Sequence, residues 1–295
     1  MAPWRAVPAA DPALDGSWFA LARCTRCGSA VTIGGLPTGL YEAGAYRPGD
    51  PRLYRLARPL LARFDRRRLT LTRTLAPPPA RLLDAGAGRG RFVAHARGDG
   101  YDAFGIEPSP RGPTAANVEA ASIEAASIEP GSVDVVTLWH VLEHLDDPGG
   151  ALDRIATWLR PGGGLVVGVP NLASLQARIG RDRWYHLDVP RHRVHYTPAG
   201  LHALLRSRGY AVHGTRHLLL EHNPFGMWQT LVNRLTRHNS YLYNALKRNA
   251  PLRSTDLAIS VAALPAAPVA AALELAAGAG GHGGTIAVLA RRAER

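Results

Sequence analysis

Apolar residues fall into two patterns along this chain. Short, mostly apolar runs mark strands: Leu82 and Leu83 closed by Asp84, Tyr101 to Ile106, Val133 to Leu138, Leu165 to Val169, Ala211 to Leu220 and Thr285 to Ala290. Between them, apolar positions recur at helical spacing. Leu53, Leu56, Leu60, Leu61 and Phe64 do so from about Pro51 to Leu75, followed by stretches from Arg91, from Ala151 to Leu159 and from Pro198 to Ser207. The Val133 to Leu138 run suits a central strand of a parallel sheet covered on both faces. Strands alternating with helices predict a doubly wound α/β sheet, with ligands at the carboxyl ends of its strands. The echo EAASI-EAASI from Glu119 to Glu129 is too short for a repeat architecture and reads as a third strand followed by a polar loop.

This pattern divides the chain into an irregular Pro/Gly-rich segment over 1–50 and a core over 51–220, with Pro77-Pro78-Pro79 as a break ahead of the first core strand. A helical, partly apolar insertion over 221–283 and a last strand over 284–292 follow. Composition narrows the classes. An apolar share of 46% supports a real core, and 20% charged residues argue against general disorder. The net charge of +12 is carried almost wholly by arginine, with Lys247 the sole lysine. These arginines are scattered and lack the aromatic interleaving of an RNA-binding face, so no nucleic-acid partner is expected. The N-terminal MAPWRAVPAADPALDG lacks a continuous apolar core and does not read as a signal peptide. With only two cysteines and no disulfide framework, a cytoplasmic location is expected. Cys24 and Cys27, as CxxCG, are half of a zinc site. They read either as a knuckle completed by distant histidines or a second chain, or as a turn that binds no metal.

The chemistry centres on Arg81 to Phe92, RLLDAGAGRGRF. A strand ends at Asp84, Gly86, Gly88 and Gly90 turn tightly, and a helix begins at Arg91, so backbone N–H groups face a ligand. Glu107 ends the next strand, where an acid would bind ribose hydroxyls. A dinucleotide fingerprint needs glycine at position 91, which is Arg91; the acid ahead of D-x-G-x-G-x-G suits a cofactor with a cationic amino-acid tail instead. His140-Val-Leu-Glu143-His144 also spells H-x-x-E-H, a zinc-peptidase pattern. That pattern needs one helix face, whereas these residues straddle a strand end and a loop before Pro148. No metal is expected.

LLDAGAGRGRF, Glu107, DVVTLWHVLEHLDDP and the strand after RPGG together resemble the class I S-adenosylmethionine-dependent methyltransferases. Within that class the chain looks like the ubiquinone/menaquinone-type and small-molecule enzymes with a vLEHv-dP motif. The resemblance covers about residues 40–220 and the last strand. It implies a Rossmann-like, mostly parallel sheet with an antiparallel last strand, and S-adenosyl-L-methionine as cofactor. It further implies that Asp84, Gly86, Gly88 and Gly90 cradle the methionine end, that Glu107 holds the ribose, and that Ser122 and Ile123 flank the adenine. Trp139 and His140 would lie beside the sulfonium. Ala87 stands where the family often has cysteine.

The densest polar cluster runs from Trp184 to Tyr196, WYHLDVPRHRVHY, and resembling sequences carry a similar stretch. Methyl transfer to a hydroxyl needs an aligned nucleophile and a base, and histidine suits the base role. His192 and His195 are the first candidates, with His186 and His144 behind them; the alternative is an ion-paired turn built by Asp188, Arg191 and His192. In the insertion, the apolar stretch from Leu257 to Ala277 contains Pro265, Pro268 and Glu274, which argue against spanning a membrane. It reads as a roof over the active site or a homodimer face. Alternatively it is a peripheral membrane contact through 229–280, at the inner face, with Arg234, Arg237, Lys247, Arg248 and Arg253 at the headgroups. The expected function is methyl transfer to a small-molecule acceptor, at oxygen, with a lipophilic or lipid-linked substrate if the membrane reading holds. An RNA methyltransferase and a non-catalytic cofactor-binding module are the alternatives. Against the former, Asn171 follows Pro170 in place of an Asn/Asp-Pro-Pro-aromatic motif.

Overall fold

A computed structural model describes residues 1–37, 51–108, 117–221, 223–247 and 250–294, with 51–58 described as backbone only. Tyr41, Tyr46 and Arg248, and the side chains of Leu53, Tyr54 and Leu56, lie outside the described residues. The chain opens with β1 (Ala2–Pro8), β2 (Trp18–Arg23), β3 (Ala30–Thr32) and the long helix α1 (Pro51–Arg73). It continues through β4 (Arg81–Ala85), α2 (Arg91–Gly98), β5 (Asp102–Ile106), β6 (Val118–Glu119), β7 (Val133–Trp139), α3 (Pro148–Trp158) and β8 (Leu159–Pro170). Then come α4 (Leu175–Gly180), β9 (Val194–His195), α5 (Pro198–Ser207) and β10 (Tyr210–Arg216). The insertion supplies α6 (Asn223–Asn233), α7 (Tyr241–Leu246), α8 (Ser254–Ala262) and α9 (Ala267–Ala279), and β11 (Thr285–Arg292) ends the chain.

Seven strands form the main sheet in the order β10-β11-β8-β7-β4-β5-β6. β4 pairs in parallel with β5 and β7, β5 with β6, and β7 with β8; the sheet is mostly parallel with an antiparallel strand, as expected. Its central strands bury Leu82, Leu83, Val135, Val136, Leu138, Val166 and Val167 completely, and the α3 side chains Leu152 and Ile155 are equally buried. Each fully buried Leu or Ile contributes roughly 1.5–3 kcal/mol.

Two compact units divide the described chain. One gathers 1–56, 170–200 and 216–286; the other gathers 57–169, 201–215 and 287–295. The limits read from the sequence at 50, 220 and 283 are contiguous, whereas these units are interleaved.

Residues 1–50 are not wholly irregular. β1, β2 and β3 build an antiparallel sheet of order β1-β2-β3-β9, completed by a strand from the histidine cluster. Pro3 and Pro8 hide β1 in the sequence, and its register shifts between Pro3 and Arg5, as suits a proline-bearing edge strand. The third strand of the main sheet is only Val118–Glu119, so Ser122 and Ile123 sit in the turn after it. β8 starts at Leu159 and runs through Pro161 to Gly164 instead of beginning at Leu165. Glycine is needed there at 164, where a Cβ would lie 2.8 Å from the Cβ of Leu75.

Candidate functional site

The glycine turn between β4 and α2 is left-handed at all three positions, with φ of 81° at Gly86, 55° at Gly88 and 74° at Gly90. Few side chains tolerate that backbone. At Gly86 a Cβ would also meet Val141 Cγ2 at 2.2 Å, whereas at Gly88 it would meet open space. Gly90 is the residue before the first turn of α2. Glu107 closes the turn from the neighbouring strand: its Oε2 accepts the Gly88 N–H at 2.9 Å.

Asp84 is buried at the end of β4, level with Thr137 on β7, whose hydroxyl donates to Asp84 Oδ1 at 2.6 Å. Burial pushes its carboxyl up to about 7; the Thr137 bond and the Arg68 charge pull the other way, and Asp65 and Glu107 add to the rise. A cationic ligand group beside Asp84 would reverse that penalty.

Trp139 ends β7 and is 9% exposed. Phe92 meets it edge-on with ring centroids 6.3 Å apart, the Arg68 guanidinium lies 4.8 Å over its ring, and its indole N–H has no hydrogen-bond partner among the described residues. His140 follows with φ of 59°, held by its N–H on the Gly168 carbonyl at 2.9 Å and by Nδ1 at 3.1 Å from Glu143 Oε1. His144 closes the short turn Leu142–His144. Ile123 is buried, and Ser122 Oγ accepts from the Ala125 N–H at 3.3 Å.

Three contributors escape the sequence reading. Arg68, in the arginine run of α1, lies over the Trp139 ring. Asp65, the sole acid of α1, is fully buried and pairs with Arg91 and with His95, each at 3.1 Å. Thr137 is a hydroxyl inside an aliphatic strand. The available signal was a polar residue on an apolar face, which needs a partner when buried.

S-adenosyl-L-methionine fits these residues. Open space at Gly88, the buried acid Asp84, Glu107 on the loop and the unpaired Trp139 N–H provide backbone donors, a partner for an ammonium, an acceptor for hydroxyls and an aromatic wall.

The second set of residues belongs to the other unit. His192 and His195 are 7% and 3% exposed, with ring centroids 6.3 Å apart. His192 Nδ1 lies 2.9 Å from the His186 carbonyl, so this nitrogen carries the hydrogen and Nε2 the lone pair, 3.9 Å from Asp188 Oδ2. His195 Nε2 lies 3.0 Å from Thr32 Oγ1, which donates its own hydrogen to the His192 carbonyl at 2.6 Å. His195 Nε2 is therefore the donor in that pair. Arg191 is buried and paired to both Asp11 and Asp188. The ion-paired turn and the ordered histidines thus coexist. His186, also buried, stacks edge-on against Trp184 and Tyr185.

The comparison with known families decides the class. The profile of the methyltransferase domain matches residues 54–214, more than half of the chain. The chain belongs to the methyltransferase family. It is an enzyme of class I that uses S-adenosylmethionine. No curated protein matches this methyltransferase. Among solved structures, the cyclase SpnF is similar at 16% identity, covering 83% of this chain and 95% of its own with a TM-score of 0.51, which shows the shared fold. An S-adenosylmethionine-dependent methyltransferase from Archaeoglobus fulgidus is 18% identical over 82% of this chain and all of its own (TM-score 0.49). The 1,6-didemethyltoxoflavin-N1-methyltransferase of Burkholderia thailandensis, with its substrate and S-adenosylhomocysteine bound, is 15% identical over the whole of both chains (TM-score 0.44).

In this methyltransferase Cys24 and Cys27 form a local turn, with the Gly28 N–H on the Cys24 carbonyl at 2.9 Å. Among the described residues they belong to no group of three or more metal-ligating side chains.

Proposed function

We propose that this methyltransferase alkylates an oxygen atom of a small, lipophilic acceptor, in the manner of the ubiquinone/menaquinone-type branch, at the inner face of the cytoplasmic membrane. The observation that carries the oxygen reading is the fixed tautomer of His192. With Nδ1 committed to the His186 carbonyl, Nε2 is the nitrogen that takes a proton, and Asp188 at 3.9 Å stabilises the imidazolium formed. His195 donates to Thr32 Oγ1, which in turn donates to the His192 main-chain carbonyl. A neutral amine acceptor attacks through its own lone pair and needs no such base beforehand.

When bound, the cofactor supplies an electrophilic methyl group on a sulfonium. For a hydroxyl acceptor, His192 Nε2 would take the proton that the oxygen loses on methylation. The exposed Val261, Leu264, Val269, Leu273 and Leu275 of the insertion support the lipophilic acceptor.

The test is transfer of isotope-labelled methyl from S-adenosylmethionine to a panel of phenols and enols, each with and without a prenyl tail, alongside amines and bulk RNA. The expected product is a methyl ether on a tailed acceptor. His192→Ala should lower kcat by about 10²–10⁴-fold without changing cofactor affinity. Label found on amines or RNA alone, or full turnover by His192→Ala, refutes the reading. Cofactor binding with no transfer to any class would favour a non-catalytic module.

A further inference from the structure

From Val261 to Gly281 the chain reads VAALPAAPVAAALELAAGAGG, in which Glu274 is the only side chain with a polar atom. That side chain is buried, and its carboxylate accepts from Gln176 Nε2 and from the Gly284 N–H, each at 2.7 Å. Ala270 and Glu274 lie on one face of α9, and Ala277 and Gly278 are buried with them. Ala270 packs into the cluster of Met227, Trp228 and Val232 on α6. α9 is thus clamped along one face by α4 and α6. Its other faces stand open: Val269 is 63% and Leu273 42% exposed, Leu275 is exposed beside them, and so are Val261 and Leu264 just ahead. Ser254–Ala279 is long and apolar enough to cross a membrane. The clamp through Glu274 holds α9 on the protein surface instead, and β11 enters the main sheet a few residues later.

A surface helix in water carries a polar face opposite its buried one; this one carries apolar residues on both. Contiguous apolar surface of this kind marks a partner. Charge selects which. Among the described residues from Asn223 to Gly284 the only acids are Asp256 and Glu274, both buried. The bases are Arg234, Arg237, Lys247 and Arg253; Arg234 and Arg253 contact Asp182 at 3.8 Å and Asp15 at 2.8 Å, and Lys247 lies over the Tyr243 ring. A second copy would bring a second set of bases and no exposed acid of the described insertion to meet them, and a protein interface needs hydrogen-bonding groups around its apolar centre. From Val261 to Gly281 no exposed side chain offers one. Lipid tails ask for none, and anionic headgroups complement the bases.

We propose that α8 and α9 lie in the surface of a bilayer containing anionic phospholipid, with Val261, Leu264, Val269, Leu273 and Leu275 among the acyl chains. The docking surface stands independently of the acceptor reading, because it is measured by binding alone.

The experiment is vesicle flotation of the full-length protein, with phosphatidylcholine alone and with phosphatidylcholine mixed with phosphatidylglycerol. Native protein should float with the mixed vesicles. Val269→Asp with Leu273→Asp should weaken binding at least about tenfold while leaving every basic residue in place. Both positions are exposed, and the milder Val269→Ser with Leu273→Ser should give a smaller loss in the same direction. Native protein that does not float, or variants that float as well as native, would overturn the proposal. So would a dimer in sedimentation that the two Asp substitutions dissociate, since the occupant would then be a second copy.

Discussion

The glycine turn and the histidine turn are built on opposite plans. Asp84, Gly86, Gly88 and Gly90 are neighbours in sequence, and the partners that complete them, Glu107 and Thr137, come from the two strands flanking β4. The histidine turn depends on residues brought from far along the chain. Thr32 meets His195 across 163 positions, and Arg191 meets Asp11 across 180. A site made from consecutive strand ends of a parallel sheet is fixed by the sheet itself. A site that closes a long loop must be held by specific buried contacts, because closing the loop costs entropy that those contacts offset.

The largest effect that would break this contrast is on the Arg191–Asp11 pair. Their side chains are 4% and 1% exposed, and removing Asp11 leaves the buried Arg191 with Asp188 as its remaining carboxylate. Asp11→Ala should destabilise the protein by about 1.5–3 kcal/mol in urea unfolding. Asp188→Ala should cost less, because Asp188 is 25% exposed and water can replace it. If Asp11→Ala cost under about 1 kcal/mol, the histidine turn would be locally held after all, and the two sites would not differ in kind.

This contrast also explains what could be read in advance. The core strands announce themselves because residues buried on both faces of a parallel sheet must be apolar in succession, and Glu107 is placed by its distance from the turn. Thr137 carried a legible signal, a hydroxyl among valines, without its partner being identifiable. β1, β2 and β3 left almost no trace. Their residues alternate weakly, two prolines interrupt β1, and the strand that pairs with β3 is the two-residue Val194–His195. A pairing of that length has no periodicity to detect. Arg68 and Asp65 were hidden for another reason: they sit in an arginine-rich run in which composition alone suggests solvent.

The next effect sharpens the cofactor side. Glu107→Ala and Asp84→Asn each remove a charged partner and should weaken S-adenosylmethionine binding by roughly tenfold to a hundredfold, from about 1.5–3 kcal/mol for such a bond; calorimetry reads this directly. His195→Ala should leave that affinity unchanged. Asp84 also gives a pH signature. Its folded-state carboxyl is raised from 3.8 to about 7 by burial, so its contribution to stability is fully present below about 3.8 and is lost as pH rises through about 7. Asp84→Asn should remove that slope from the melting temperature over the same interval. Affinity for the cationic cofactor should move the other way, rising through pH 7 as Asp84 ionises. An unchanged slope in Asp84→Asn would mean that the acid is solvated in solution.

The smallest effect concerns Cys24, where the unit built from long-range contacts contains one wholly local site. The Cys27 N–H donates to the Cys24 sulfur, then the Arg26 N–H, then the Cys27 thiol, and together they lower the Cys24 thiol from 9.0 to about 7. Amides inside a four-residue turn do not depend on distant pairing. Alkylation of Cys24 by iodoacetamide should therefore be half-maximal near pH 7 in the native protein. Asp11→Ala, which loosens the histidine turn, should leave that midpoint in place. Cys27→Ser keeps both amides and should hold it well below 9.0, whereas urea should return it to the ordinary thiol range. A midpoint that returns to 9.0 in Cys27→Ser would assign the shift to the neighbouring thiol. One that follows Asp11→Ala would make even this turn a product of the long-range contacts, and the division between locally and distantly built sites would have to be drawn inside the cofactor unit alone.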